Sequence, residues 1–253
     1  MKFDEMINTI QLGSCYDLIK YIPDKSIDLV YIDIPYLYAK GGNVSNDKSA
    51  VSKRIAKVRN NYLKDISSGI DYSILDELCR TMKYIYIYIW CSKEQILDLM
   101  KYFIDEKKCR FNILVWCKTN PTPATDGTYL PDIEYCLVFK ETGSPKYNDG
   151  YELKSKWYLS PINKKDKDKY EHPTIKPLEF VKRHILHSTQ PNDIVLDCFC
   201  GSGTTCVAAK ETDRRYIGME INPEYHKIAV DRLNGILANG QTSIFTDFDS
   251  LEL

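Results

Sequence analysis

Val195-Leu-Asp197-Cys-Phe199-Cys-Gly201-Ser202-Gly203-Thr204-Thr205, running into Cys206-Val-Ala-Ala-Lys210, reads as a strand ending in an acid, a glycine-rich turn and the start of a helix. Gly201 and Gly203 let the backbone turn tightly and approach a ligand closely. A helix beginning near Thr204 would aim its unpaired amide groups at that ligand; a plain packing turn is the alternative. The pattern is not a full G-x-G-x-x-G dinucleotide fingerprint, because Cys206 takes the place of the third glycine. A further run, Arg215-Tyr-Ile-Gly-Met-Glu220, ends in a carboxylate 23 positions after Asp197. That is where an α/β nucleotide site places an acid for ribose hydroxyls. Together the two runs point to an adenosine-type ligand.

Two other groups have the residue types for chemistry. Asp33-Ile34-Pro35-Tyr36 follows the apolar run Asp28-Leu-Val-Tyr-Ile, so it also belongs at the carboxyl edge of a sheet, where ligands bind in open α/β folds. The alternative is a strand-ending turn with an exposed Tyr. His172-Pro-Thr174-Ile-Lys176-Pro177 is a Pro-bounded turn that opens a helix; by itself it is an ordinary helix start with a solvated Lys.

The elements needed to position these groups are legible as alternating periods. Asp28–Asp33, Tyr84–Cys91, Asn112–Cys117, Ile133–Phe139, Ile194–Asp197 and Arg215–Glu220 read as strands, the second one β-branched and aromatic throughout, as in a strand covered on both faces. Helical spacing joins Ile74, Leu75, Leu78 and Met82; Ile96, Leu97, Met100 and Phe103; Phe180, Val181, Ile185 and Leu186; and Ala229, Leu233, Ile236 and Leu237. Such alternation predicts an α/β fold with a doubly wound, mostly parallel sheet. The polar segment Gly143–Glu171, with Trp157 and Tyr158 among its aromatics, interrupts the alternation and reads as a small insert.

The chain has 253 residues, 34 Lys+Arg against 35 Asp+Glu, 43% hydrophobic residues and nine cysteines. The length fits a single domain over 1–253, and the composition excludes disorder for most of it. No apolar stretch reaches the roughly 18 residues of a membrane span, and Met1–Gln11, with Asp4 and Glu5, has no secretory-signal pattern. The scattered cysteines contain no C-x-x-C, so neither a metal site nor a disulfide framework is expected; they read as reduced thiols of a cytoplasmic protein. Charge is unevenly spread. Tyr38–Lys64 carries Lys40, Lys48, Lys53, Arg54, Lys57, Arg59 and Lys64 against Asp47, a local +6, and Val51, Ile55, Val58 and Tyr62 there keep helical spacing. A solvated helix face is the bland reading of this basic segment (38–68).

Taken together, the motifs resemble the amino-methyltransferases that move a methyl group from S-adenosylmethionine to an exocyclic amine of a DNA base. Asp33-Ile-Pro-Tyr36 looks like their (D/N/S)-P-P-(Y/F) catalytic motif. Asp197-Cys-Phe-Cys-Gly-Ser-Gly-Thr-Thr205 looks like their cofactor loop, Gly218-Met-Glu-Ile-Asn-Pro-Glu-Tyr225 like the motif that follows it, and His172-Pro-Thr-Ile-Lys-Pro177 like their H-P-T-x-K-P. The catalytic motif precedes the cofactor motif, the permuted order of the β class. The resemblance runs from about Gln11 to Asn234 and implies a Rossmann-like methyltransferase fold. Ile34 stands where the family usually has Pro, and Cys198 replaces the usual Pro of the cofactor loop.

The resemblance implies Asp33, Ile34, Pro35 and Tyr36 as the catalytic group. The Asp33 carboxylate and the Ile34 carbonyl would each accept an amine N–H, and Tyr36 would stack on a flipped-out base. It implies S-adenosylmethionine held by His172, Thr174, Lys176, Asp197, Phe199, Gly201, Ser202, Gly203, Thr204 and Glu220, with Lys176 on the methionine carboxylate. Asp33 favours adenine N6 over cytosine N4. The expected partner is double-stranded DNA, contacted by Lys48, Lys53, Arg54, Lys57 and Arg59 and read by Trp157 in a target-recognition insert, 143–171. A homodimer, and the cytoplasm of a bacterial or phage-infected cell, complete the expectation. The alternatives are a cytosine-N4 enzyme, an inactive relative that binds DNA or S-adenosylmethionine, and a nicotinamide oxidoreductase; the last is disfavoured by the missing third glycine.

Overall fold

The computed structural model describes residues 1–37, 69–121, 129–145, 150–162 and 175–237, together with Thr242. The expected DNA contacts Lys48, Lys53, Arg54, Lys57 and Arg59, the Lys164–Lys169 loop, and His172 and Thr174 lie outside the described residues. In chain order the described elements are α1 (Phe3–Met6), β1 (Thr9–Leu12), α2 (Cys15–Leu18), β2 (Leu29–Asp33), α3 (Ile74–Thr81), β3 (Tyr86–Cys91), α4 (Ile96–Met100), β4 (Arg110–Lys118), β5 (Ile133–Lys140), β6 (Trp157–Ser160), α5 (Leu178–Ser188), β7 (Ile194–Asp197), α6 (Thr204–Lys210), β8 (Arg215–Glu220) and α7 (Pro223–Leu233).

The strands form one eight-stranded sheet in the order β1-β8-β7-β2-β3-β5-β4-β6. Every pairing is parallel except those of β5, which runs antiparallel to β3 and β4. In β3 the residues alternate by type. Tyr86, Tyr88 and Trp90 enter one layer of core, and Ile87, Ile89 and Cys91 the other. Both faces are therefore covered, as an uninterrupted apolar strand requires. Residues from α2, α3 and α4 fill the isoleucine side; residues from α5, α6 and α7 fill the aromatic side. This is the three-layer, doubly wound, mostly parallel arrangement expected from the alternation of strands and helices.

Two strands went unseen in the sequence. β1 has a single buried residue, Ile10, too little for a period. It is held by pairing in parallel with β8, Thr9 to Ile217 through Leu12 to Glu220. β6 lies inside the segment read as an insert and is the edge strand beside β4, with Val115 opposite Trp157 and Lys118 opposite Ser160. Tyr158 stacks on Phe180 of α5 with ring centroids 4.9 Å apart, which docks the edge.

Two helices differ from their expected extent. The last was expected to carry Ile236 and Leu237, but it stops at Leu233. Gly235 adopts φ 70, Gly235 N–H donates to Arg232 O, and Ile236 N–H reaches back to Asp231 O at 2.8 Å. This is a glycine-terminated helix end that satisfies the last carbonyls. After Met100 the chain widens into a π-helical coil over Lys101–Glu106, with Lys107 N–H bonded to Tyr102 O. The wider turn still delivers Phe103 onto Phe139, ring centroids 4.4 Å apart. The cysteines are all free, most of them buried, and burial pushes the Cys15 thiol up to about 12.

Candidate active site

β2 and β7 are neighbours, yet the chain leaves them in opposite directions across the sheet, β2 toward β3 and β7 toward β8. The crevice at their carboxyl ends is the switch point where open α/β sheets bind ligands. Asp197 ends β7, Asp33 ends β2 and Glu220 ends β8, so three carboxylates converge there. Each is destabilised as an anion by burial. Burial raises Asp33 and Glu220, and pushes Asp197 up to about 7, with the charges of Asp33 and Glu220 adding to it.

The glycine loop hangs from two of these acids. Asp197 Oδ1 accepts Phe199 N–H at 3.0 Å. Glu220 Oε2 accepts Gly201 N–H at 2.8 Å and its Oε1 accepts Asn222 N–H at 2.8 Å. Glu220 therefore holds the loop in place. Ser202 and Thr204, expected on the cofactor, are bonded to Arg232 of α7. Its Nη1 donates to Thr204 Oγ1 at 2.8 Å and to Ser202 O at 3.1 Å. Gly203 answers a packing need: it has φ 76, and a Cβ there would sit 3.0 Å from Ala229 Cβ. Gly218 does the same beneath the loop, where a Cβ would lie 2.9 Å from both Cys206 Sγ and Ile10 Cγ1.

Asp33, Ile34, Pro35 and Tyr36 emerge together from β2. Ile34 N–H bonds Trp90 O at 3.2 Å, carrying the pairing with β3 one residue past the strand. The turn is then clamped by two residues the sequence did not single out. Gln95 Nε2 donates to Pro35 O at 2.9 Å and Ser92 Oγ to Leu37 O at 2.8 Å, while Gln95 Oε1 accepts Ser92 N–H at 3.0 Å. Gln95 is buried, so this clamp is shielded from water and strengthened by it. It compensates for Ile34 at the position where a proline would have fixed φ.

Lys176, expected on the methionine carboxylate, has its Nζ 2.7 Å from Asp33 Oδ2, 2.9 Å from Glu134 Oε2 and 3.2 Å from Tyr36 OH. Three partners match the three donors of an ammonium. Glu134 in turn bonds Lys118 Nζ through Oε1 at 2.7 Å. The result is a run of alternating charge, Lys118–Glu134–Lys176–Asp33, along the sheet edge. Burial opposes charge on Asp33, Glu134 and Lys176. Nonetheless Lys176 and Lys118 hold the Glu134 carboxyl down to about 2, and Asp33 and Glu134 raise Lys176 above its ordinary range. Asp33 Oδ1 is left buried with no hydrogen-bond partner among the described residues. An orphaned carboxylate oxygen at a ligand crevice is an acceptor awaiting a donor.

Glu134 carried a visible signal, an acid inside the apolar run Ile133–Phe139. What the sequence hid was the antiparallel direction of β5, which brings its first residues to the same edge as the last residues of β2, β3 and β4. Trp116 is buried core with Nε1 bonded to Ser160 Oγ. Trp157 is 60% exposed at the start of β6, whereas Ser160 at the end of that strand is level with Lys118; Trp157 is thus set back along the strand from the acid cluster.

A family model described as DNA methylase matches residues 27–231. Among curated relatives, the type II methyltransferase M2.DpnII of Streptococcus pneumoniae is 30% identical over 226 residues, covering 83% of each chain. M2.LlaDCHI of Lactococcus lactis subsp. cremoris, also a type II methyltransferase, is 29% identical over 236 residues, covering 87% of this chain and 86% of its own. The crystal structure of the M1.HpyAVI–SAM complex superposes with a TM-score of 0.66 at 25% identity, over 89% of this chain and 98% of that one. The match spans all three acid-ended strands, the glycine loop and the clamped Asp33 turn, and the chain belongs to the N6/N4 DNA methylase family.

Proposed function

We propose that this protein transfers the methyl group of S-adenosylmethionine to N6 of adenine in DNA, with Asp33 as the acceptor that activates the amine. The observation that carries the reading is Asp33 itself: Oδ2 is pinned by Lys176 and Oδ1 is buried with no partner among the described residues, beside a glycine loop at the switch point of the sheet.

The donor set suits the cofactor. Asp197, pushed up by burial to about 7, and Glu220, also raised by burial, flank the glycine loop and fit a ligand that bears a sulfonium and an ammonium group. When bound, S-adenosylmethionine supplies an electrophilic methyl whose C–S bond breaks with its electron pair left on sulfur. The protein's residues do the rest. The adenine N6 lone pair is delocalised into the ring, so the amine is a poor nucleophile. Asp33 Oδ1 accepts one N6–H and the Ile34 carbonyl the other, which draws the nitrogen toward tetrahedral geometry and frees the lone pair for in-line attack. As the new N–C bond forms the nitrogen becomes positive, and the Asp33 carboxylate stabilises that charge until one N–H proton is released to water. Tyr36, fixed by its hydroxyl to Glu134 Oε2 at 3.2 Å, offers its ring to a base taken out of the stack.

Adenine rather than cytosine rests on the acid at position 33, following the resemblance. Double-stranded DNA as substrate, phosphate contacts from Lys48, Lys53, Arg54, Lys57 and Arg59, base reading by Trp157 within 143–171, and cofactor contacts from His172 and Thr174 belong to the same proposal. So does work in the cytoplasm of a bacterial or phage-infected cell. Asp33→Ala is the test. It should lower kcat by about 10²–10³, while calorimetric affinity for S-adenosylmethionine changes little, and a variant with wild-type turnover would remove Asp33 from the chemistry.

A further inference from the structure

Lys176 sits close to the nitrogen that must become positive, which is an awkward place for a cation. Unopposed, its charge would weaken Asp33 as an acceptor and repel the charge developing on N6. Glu134 faces it from the other side at 2.9 Å, and Lys118 holds Glu134 at 2.7 Å. The two carboxylates and two ammonium groups sum to zero. Tyr36 OH also lies within 3.2 Å of both Lys176 Nζ and Glu134 Oε2, so the stacking ring hangs on the same pair.

We propose that Glu134 and Lys176 act as a pair of positioning residues: Glu134 fixes Lys176 on Asp33 Oδ2 and cancels its charge, so that Asp33 turns Oδ1 to the amine with its strength as a hydrogen-bond acceptor undiminished by the cation. The inference deepens the adenine-methylation reading and rests on it. Other groups face Asp33 as well. They are Trp90 and Cys91 from β3, Cys136 from β5, Asp197 from β7, and Tyr31 from its own strand. Burial keeps the two thiols neutral, which leaves Asp197, Glu134 and Lys176 as the charges that set the ionisation of Asp33.

The experiment is the pH dependence of kcat for the full-length protein on DNA, with the wild type, Glu134→Gln, Lys176→Met and the double variant. Glu134→Gln keeps the shape and one acceptor oxygen for Lys176 but removes the negative charge, so Lys176 is left uncancelled. Its kcat should fall about tenfold or more at the plateau, and its acid limb should move to lower pH by about one unit. Calorimetric affinity for S-adenosylmethionine should stay within about twofold. Lys176→Met removes the cation, so Asp33 ionises less readily and the limb moves to higher pH; the double variant returns it toward the wild type. Should Lys176→Met fail to fold, as read by melting, Lys118→Met serves in its place: it leaves Glu134 uncompensated and moves the limb upward. Limbs that stay put, or that move the same way in Glu134→Gln and in the lysine variant, would overturn the pairing while the wild type still methylates DNA. A wild type that methylates no DNA would overturn the underlying reading and this inference with it.

Discussion

Asp197 accepts a backbone N–H, yet burial still pushes it up to about 7. A carboxyl that binds its proton more tightly in the folded chain than in the unfolded one, near 4, makes the fold lose stability as pH rises between about 4 and about 7. A cation in the crevice reverses the preference, because it favours the ionised form. Affinity for S-adenosylmethionine should therefore tighten by about tenfold between about pH 6 and pH 8, and Asp197→Asn should flatten that dependence; calorimetry at the two values decides it. At this scale the acids were legible. Asp33, Asp197 and Glu220 each end an apolar run, and that alone sends them to the carboxyl edge. Lys176 was not legible in the same way. It belongs to a turn at the start of α5, and its three partners come from β2, β5 and the turn after β2, distances in sequence of up to 143 residues. Local pattern carries no information about which anion it meets.

Elements hold these side chains by packing that is partly polar. On the aromatic face of the sheet Trp90 Nε1 donates to Tyr31 OH at 3.0 Å, Tyr31 OH meets His184 Nδ1 at 3.1 Å, and Tyr88 OH meets Ser188 Oγ at 2.7 Å. This ties α5 to β2 and β3 directly beneath Asp33. His184 is buried, and burial depresses it well below its ordinary range. The unfolded chain takes up a proton there as pH falls through about 6.5 and the folded chain does not, so stability present above that pH is lost below it, by about 1.4 kcal/mol per pH unit. His184→Phe should remove that slope from a pH series of denaturant titrations. Glycines set the spacing of the neighbouring layer. Gly218→Ala would press a methyl on Cys206 and Ile10 and should destabilise by about 1–3 kcal/mol, measurable by urea unfolding, with the loop above it displaced. The strong strand and helix periods were readable in the sequence because each buries several residues in register. β1 and β6 were not, because an edge strand of four residues is defined by its neighbour rather than by its own period. The contacts of the two cofactor-loop hydroxyls and of Gly203 with α7 were not legible, because those partners are fixed only by the fold.

For the whole molecule the net charge of −1 hides a +6 segment between Tyr38 and Lys64, joined directly to the Asp33 turn. If its Lys and Arg side chains contact phosphates, each one removed should make the salt dependence of DNA binding shallower by about 0.9 in log–log slope, with sequence preference intact. An unchanged slope in a multiply neutralised variant would make the segment a solvated face. A homodimer is tested by sedimentation at micromolar concentration, where a single species at the monomer mass removes it. No described helix is long and apolar enough to cross a membrane. Transfer of a methyl group to adenine N6 is read from its product. Double-stranded DNA incubated with the purified protein and methyl-labelled S-adenosylmethionine, then digested to nucleosides, should yield labelled N6-methyldeoxyadenosine that the Asp33→Ala protein fails to make. Label in N4-methyldeoxycytidine, or in no nucleoside at all, would contradict it.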